Sequence, residues 1–191
     1  MQVFLSTMGT TVISAYQVCN SIISVTQLPL QSYSVLVVTL VGQAAGTGSK
    51  EKTRATAEHM MRTGRKGAFI SMIFKTLLCY PIALCFSRDI AVVNTAVTMF
   101  LIEVIFMPFW ADSFMLPNVF RSTRDVKITL VVGSISMWVV RVFGAYVLGV
   151  LLGLKGHGIM LAMCIDWIVR VFFFVRRFKG DKWLEKIGES K

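Results

Sequence analysis

Six charged residues lie inside stretches that are otherwise apolar: Lys75, Glu103, Asp112, Arg141, Asp166 and Arg170. A charge surrounded by hydrocarbon is costly, so such residues mark buried pairs or a path for ions or polar solutes. Their spacing suggests the pairs. Lys75 and Glu103 fall near the middle of successive apolar stretches, which antiparallel packing brings to one depth. Asp166 and Arg170 stand i, i+4 on one helix face, with Arg141 near the middle of the stretch before. Two chemistries follow. The pairs are structural and fix helix register, or one carboxylate among Glu103, Asp112 and Asp166 takes up and releases H⁺ or Na⁺. A carboxylate pulled one way by burial and the other by a neighbouring cation titrates as water access changes sides. Asp112 has no partner in its own stretch and lies near its end, where a side chain snorkels to the interface. Phe106, Phe109, Trp110 and Phe114 surround it. They read either as a cage for an organic cation or as an interfacial belt.

The elements that position these residues follow from the oily stretches themselves. Apolar residues make up 55% of the 191, and mean hydropathy is +0.68. Apolar runs near 18 residues or more are membrane spans. The sequence predicts an all-α polytopic membrane protein with six transmembrane helices at about 1–23, 30–45, 67–86, 90–114, 128–152 and 159–174. One lobe, residues 1–178, then carries a basic, water-soluble tail at 179–191. A turn is expected at Pro29, and a kink at Pro108, which lacks an N–H. The first span is polar for a lipid-facing helix. Thr10, Ser14, Gln17 and Asn20 mark a stripe that is either interhelical glue or the wall of a substrate cavity, with Phe109 and Trp110 as further cavity candidates.

The net charge of +10 does not point to nucleic acid, because the basic residues collect at span ends instead of on a soluble folded unit. Fifteen fall in the 49–66 connector, the 115–127 connector and the stretch from Arg176 to Lys191; two, Arg88 and Lys155, fall on the other side. Cytoplasmic loops carry such an excess, so both termini are expected in the cytoplasm and the protein in the cell (inner) membrane. The four cysteines form no CxxC pair and read as packing residues. His59 and His157 lie in different connectors, so no metal site is expected. No nucleophile elbow, HExxH motif or phosphate loop is present, so neither an enzyme nor a cofactor is expected.

Three segments resemble a known family. GTTVISAYQVCNSI and LVGQAAGTG are similar to the seventh and eighth helices of the multidrug and toxic compound extrusion (MATE) transporters. LPNVFRSTRDVKITLVVGSISMWVVRVFGAYVLG resembles the junction of their tenth and eleventh helices, and GIMLAMCIDWIVRVFFFVRRFKGDKW the twelfth helix and tail. The resemblance implies a twelve-helix fold of two six-helix lobes, of which this chain matches the second. It implies antiport of cationic small molecules against H⁺ or Na⁺ through a cavity between the lobes, and a missing N-terminal lobe as partner in the same or a separate chain. The family's LRAGGD junction reads FRSTRD here, so Thr123 and Arg124 replace two glycines. Lys155 and His157 stand where the family has apolar residues or glycine. Two alternatives stay open: a flippase for lipid-linked precursors of the same superfamily, and a truncated, non-transporting membrane fragment or interaction subunit.

Overall fold

In a computed structural model, residues 10–86, 88–185 and 187 are described, with backbone alone for residues 10–12 and 86. The described chain is a bundle of helices: α1 (Thr10–Gly46), α2 (Lys50–Phe86), α3 (Ile90–Ile105), α4 (Met107–Ser122), α5 (Val126–Leu151) and α6 (Lys155–Lys179). Four of them are long and apolar enough to cross a bilayer singly, and the bent pair α3–α4 passes the same test only when its two helices are taken together. The chain is thus an all-α polytopic membrane protein, as its hydropathy implies.

The helices do not divide where the six expected spans do. The turn expected at Pro29 does not form; α1 runs through it for 37 residues. Membrane helices absorb a proline because neighbouring helices resatisfy the carbonyl it frees. The segments compared above with two successive helices are therefore two parts of one. At ~1.5 Å per residue, α1 outreaches a hydrocarbon core of ~30 Å, so its ends stand beyond the bilayer. The basic connector of residues 49–66 is likewise no loop. It is the first half of α2, which continues without a break into the apolar second half.

Pro108 behaves as expected. It sits at the start of α4, where its missing N–H costs nothing, and α3 and α4 meet at Phe106 with a bend of 58°. Asp89 caps α3 by accepting a hydrogen bond from the Ala91 N–H at 2.9 Å. α5 is α-helical at its start and at Gly144–Tyr146, and π-helical over Ser136–Phe143 and Val147–Leu151. Its partner α6 approaches closely at Gly158, where a Cβ would lie 2.5 Å from the Leu148 carbonyl oxygen. The core runs between α1, α2, α3, α4 and α6. Cys19, Cys79 and Cys164 pack within it, whereas Cys85 is exposed.

The tail is not simply solvated. Trp183 is fully buried, stacked on Phe178 at 5.1 Å and edge-on to Phe120, with its indole N–H donating to the Phe178 carbonyl. Leu184 and Ile187 are buried beside it. The tail folds back under the bundle because these apolar side chains recur among its charges.

The α5–α6 turn carries backbone strain that sequence can relieve. Gly153 has φ +68° and Lys155 φ +50°, a region that costs an L-residue about 1–2 kcal/mol. Lys155→Gly is expected to raise unfolding stability in detergent by about 1 kcal/mol after glycine's own entropy cost. Gly153→Ala, at a site where a Cβ meets nothing within 4 Å, is expected to lower it by a similar amount. Equal stability of both variants with the parent would show that the backbone there is not strained.

Candidate functional site

Three helices converge on one buried carboxylate. α2 brings Lys75 and α3 brings Glu103, 3.5 Å apart with side chains 2% and 0% exposed. α1 brings Gln27, whose amide donates to Glu103 Oε1 at 3.2 Å. Lys75 Nζ also lies 3.5 Å from Met107 Sδ and 6.0 Å above the Phe100 ring. Glu103 Oε2 is buried and has no hydrogen-bond partner among the described residues. A cavity of 260 Å³ between Thr26 and Pro29 of α1, Ser71, Phe74 and Lys75 of α2, and Phe100 of α3 reaches Lys75 from outside, while Glu103 lies behind it. The Lys75–Glu103 pairing is legible from depth alone. Gln27 is not, because the expected turn at Pro29 removed residues 24–29 from any helix face.

A second buried carboxylate sits between α5 and α6. Asp166 is fully buried. Arg170, one turn on, reaches both of its oxygens, at 3.1 Å to Oδ1 and 3.0 Å to Oδ2. The Ser136 hydroxyl of α5 donates to the same carboxylate. Arg141, expected as a third member, is half-buried near Cys164 and forms no ion pair among the described residues. The i, i+4 pair closes within one helix and needs no help from α5, and the serine takes the remaining approach.

Asp112 does have a partner. Arg65, in the basic half of α2, lies 2.8 Å from Oδ1 and 3.1 Å from Oδ2. With Arg65 half exposed, such a pair is worth only about 0–1 kcal/mol. The aromatic cluster around it splits. Phe109 is exposed, while Trp110 is buried and stacked on Phe114 at 4.8 Å. Asp112 is thus neutralised by an arginine. Two further bridges were missed in sequence: Asp125, the acid of FRSTRD, to Arg177 at 2.9 Å, and Asp181 of the tail to Arg54. The acidic residue ending a basic junction was the available signal for the first.

On α1, Ser14 and Gln17 are exposed and Asn20 half-buried. The Thr10 side chain lies outside the described residues. Ser21 and Ser24 extend the exposed face at four- and three-residue spacing, and Gln31 follows seven residues on, beyond the exposed Leu28. The hydroxyls of Ser21 and Ser24 donate to carbonyls one turn back. α1 carries no charged residue at all. It therefore offers an uncharged polar wall, bordered by Gln27 one turn from Ser24 and from Gln31.

The sequence pattern of the MatE family matches residues 1–147. The multidrug resistance protein MdtK of Edwardsiella ictaluri is 24% identical over 182 residues, covering 86% of this chain and 40% of that protein. The MdtK of Pectobacterium atrosepticum is 30% identical over 121 residues, covering 63% and 26%. The probable multidrug resistance protein NorM of Thermotoga maritima is 24% identical over 182 residues, covering 92% and 38%. The chain spans 40% or less of the length of each of these relatives.

Breaking a buried ion pair leaves an uncompensated charge, whereas replacing both members with apolar residues is often neutral. Glu103→Gln is expected to lower unfolding stability in detergent by about 3 kcal/mol, and Lys75→Met combined with Glu103→Leu to regain most of it. A double variant no more stable than the single one would show that the charge pair is not what holds these helices.

Proposed function

The chain belongs to the MatE family, and from that premise we propose that it is the second lobe of a secondary active multidrug efflux antiporter. The printed names of its relatives support multidrug efflux. The exposed, uncharged polar face of α1 supports a solute path, because a face turned to lipid would be apolar. The lobe would rock against a partner lobe, opening the path to alternate sides. That partner is supplied in the same chain or another. The protein sits in the cell (inner) membrane. The end of α4, the start of α2 and the tail face the cytoplasm, because they carry the Lys/Arg excess, and the end of α1 that leads into α2 lies with them.

Glu103 carries the coupling reading. Its Oε2 is buried with no hydrogen-bond partner among the described residues, and an orphaned buried acceptor is costly. A proton on that oxygen, or a small cation beside it, removes the cost. Lys75 at 3.5 Å repels a second cation and leaves a proton as the better fit, so H⁺ is the favoured coupling ion over Na⁺. The cavity beside Lys75 gives the route by which water and the proton arrive. A cationic drug would compete with the proton for this charge. Asp166 Oδ2 likewise has no hydrogen-bond partner among the described residues, but Arg170 lies 3.0 Å from that same oxygen, whereas Lys75 approaches the other oxygen of Glu103; Asp112 meets Arg65, so both are weaker candidates.

In proteoliposomes holding the transporter completed by its first lobe, Glu103→Gln is expected to abolish proton-driven ethidium efflux. Asp112→Asn is expected to reduce it less than tenfold. The Lys75→Met, Glu103→Leu double variant is expected to remain folded and yet be inactive, which a structural ion pair alone would not produce. Unchanged efflux with Gln or Asn at Glu103, Asp112 and Asp166 together would overturn carboxylate coupling in this lobe. No efflux by the parent in either form would favour the inert fragment.

A further inference from the structure

A second cavity, of 500 Å³, opens between α1, α4, α5 and α6 towards the basic end of the bundle. Neither Lys75 nor Glu103 lines it. Its size suits a small organic molecule. Two of its lining hydroxyls are anomalous. Ser113 Oγ and Thr129 Oγ1 are buried and have no hydrogen-bond partner among the described residues. Elsewhere in the spans, the hydroxyls of Ser34, Thr76, Thr95 and Thr98 donate to the carbonyl one turn back, the usual recourse of such residues in helices. Ser113 and Thr129 have given that up, and a ligand accepting from both would satisfy them.

The charges lining the cavity settle what kind of acceptor. Arg170 lines its wall and Arg121 its exposed side, and no aspartate or glutamate is present among its lining residues. Asp166 already neutralises Arg170, so Arg121 supplies the net positive charge. Trp110, stacked on Phe114, and Phe174 give a flat apolar surface. We infer that this cavity is a binding site for an anionic group, carboxylate or phosphate, carried on an apolar body. The anion accepts from Ser113 and Thr129 and faces Arg121, while its apolar part lies against Trp110 and Phe114. The site is separate from the coupling carboxylate and does not depend on transport. Its ligand is either a free organic acid or the headgroup of an anionic lipid; the chemistry is the same.

The test uses two probes of one shape and opposite charge, 2-naphthoate and 2-naphthylmethylammonium. Each is titrated by calorimetry into the full chain in phosphatidylcholine nanodiscs. Naphthoate is expected to bind at least tenfold tighter than the amine. Arg121→Gln is expected to cost naphthoate about tenfold, and Ser113→Ala with Thr129→Val a similar factor. The hydroxyl variants are expected to unfold no earlier than the parent, since those groups hold nothing within the protein. Competition by short-chain phosphatidylglycerol but not phosphatidylcholine would support the site with a lipid headgroup as occupant. Competition by neither would support it with a soluble acid. Equal binding of the two probes, or naphthoate binding indifferent to all three substitutions, would overturn the inference.

Discussion

Hydrocarbon supplies no hydrogen bonds, and the arrangement of this bundle follows from that constraint. Every crossing is helical, so the backbone satisfies itself. The side-chain charges have no such internal solution and must find one another across helices. Glu103 is met by Lys75 of α2 and Gln27 of α1, and Asp166 by Arg170 of its own helix and Ser136 of α5. These ties set register in a way that apolar packing does not, because lipid is as apolar as the helix faces. A slip of one turn, ~5.4 Å, between α2 and α3 would strand both Lys75 and Glu103 in a medium that solvates neither.

What sequence reveals of such a protein depends on whether the relevant partner is local. Pro108 and Pro29 look alike in sequence, yet one breaks a helix and the other does not. Pro108 stands at the start of α4, where the missing N–H is one that no helix would have bonded. Pro29 stands in mid-helix, where packing of α1 against α2, α3 and α4 outweighs one lost bond. That is tertiary information, absent from any window around Pro29. The misplaced turn then hid Gln27, the third partner of the central carboxylate.

The same distinction runs through the site. Asp166 and Arg170 are one turn apart and legible at once, and Lys75 with Glu103 needs only the assumption that successive helices are antiparallel. Asp112 with Arg65, and Asp125 with Arg177, join residues 47 and 52 positions apart in sequence, and no periodicity relates them. Arg141 shows the opposite error. It stands at a plausible depth, but α5 is π-wound from Ser136 to Phe143, and it is Ser136, at the start of that segment, that meets Asp166. The tail misled for a compositional reason. Its many charges outvote Trp183, Leu184 and Ile187 in any average, although those three decide where it docks.

The ties also indicate where the lobe is able to move. Its basic end is held by Arg65–Asp112, Arg177–Asp125 and Arg54–Asp181, with Trp183 wedged beneath. The bend at Phe106 interrupts hydrogen bonding between α3 and α4 and sits between the two features of functional interest. Glu103 lies just before it. Met107, the first residue of α4, contacts Lys75, and Trp110 and Ser113, one and two turns further on, line the larger cavity. Two sites influence each other only if both bias the same element. α4 and α1 touch both, α1 through Gln27 at the carboxylate and Gln31 and Ser34 at the cavity, so a change of charge at Glu103 would reach the cavity by altering how α4 leans on Lys75 or how α1 holds Gln27. The bend lets α4 respond without dragging α3, whose position the buried carboxylate fixes.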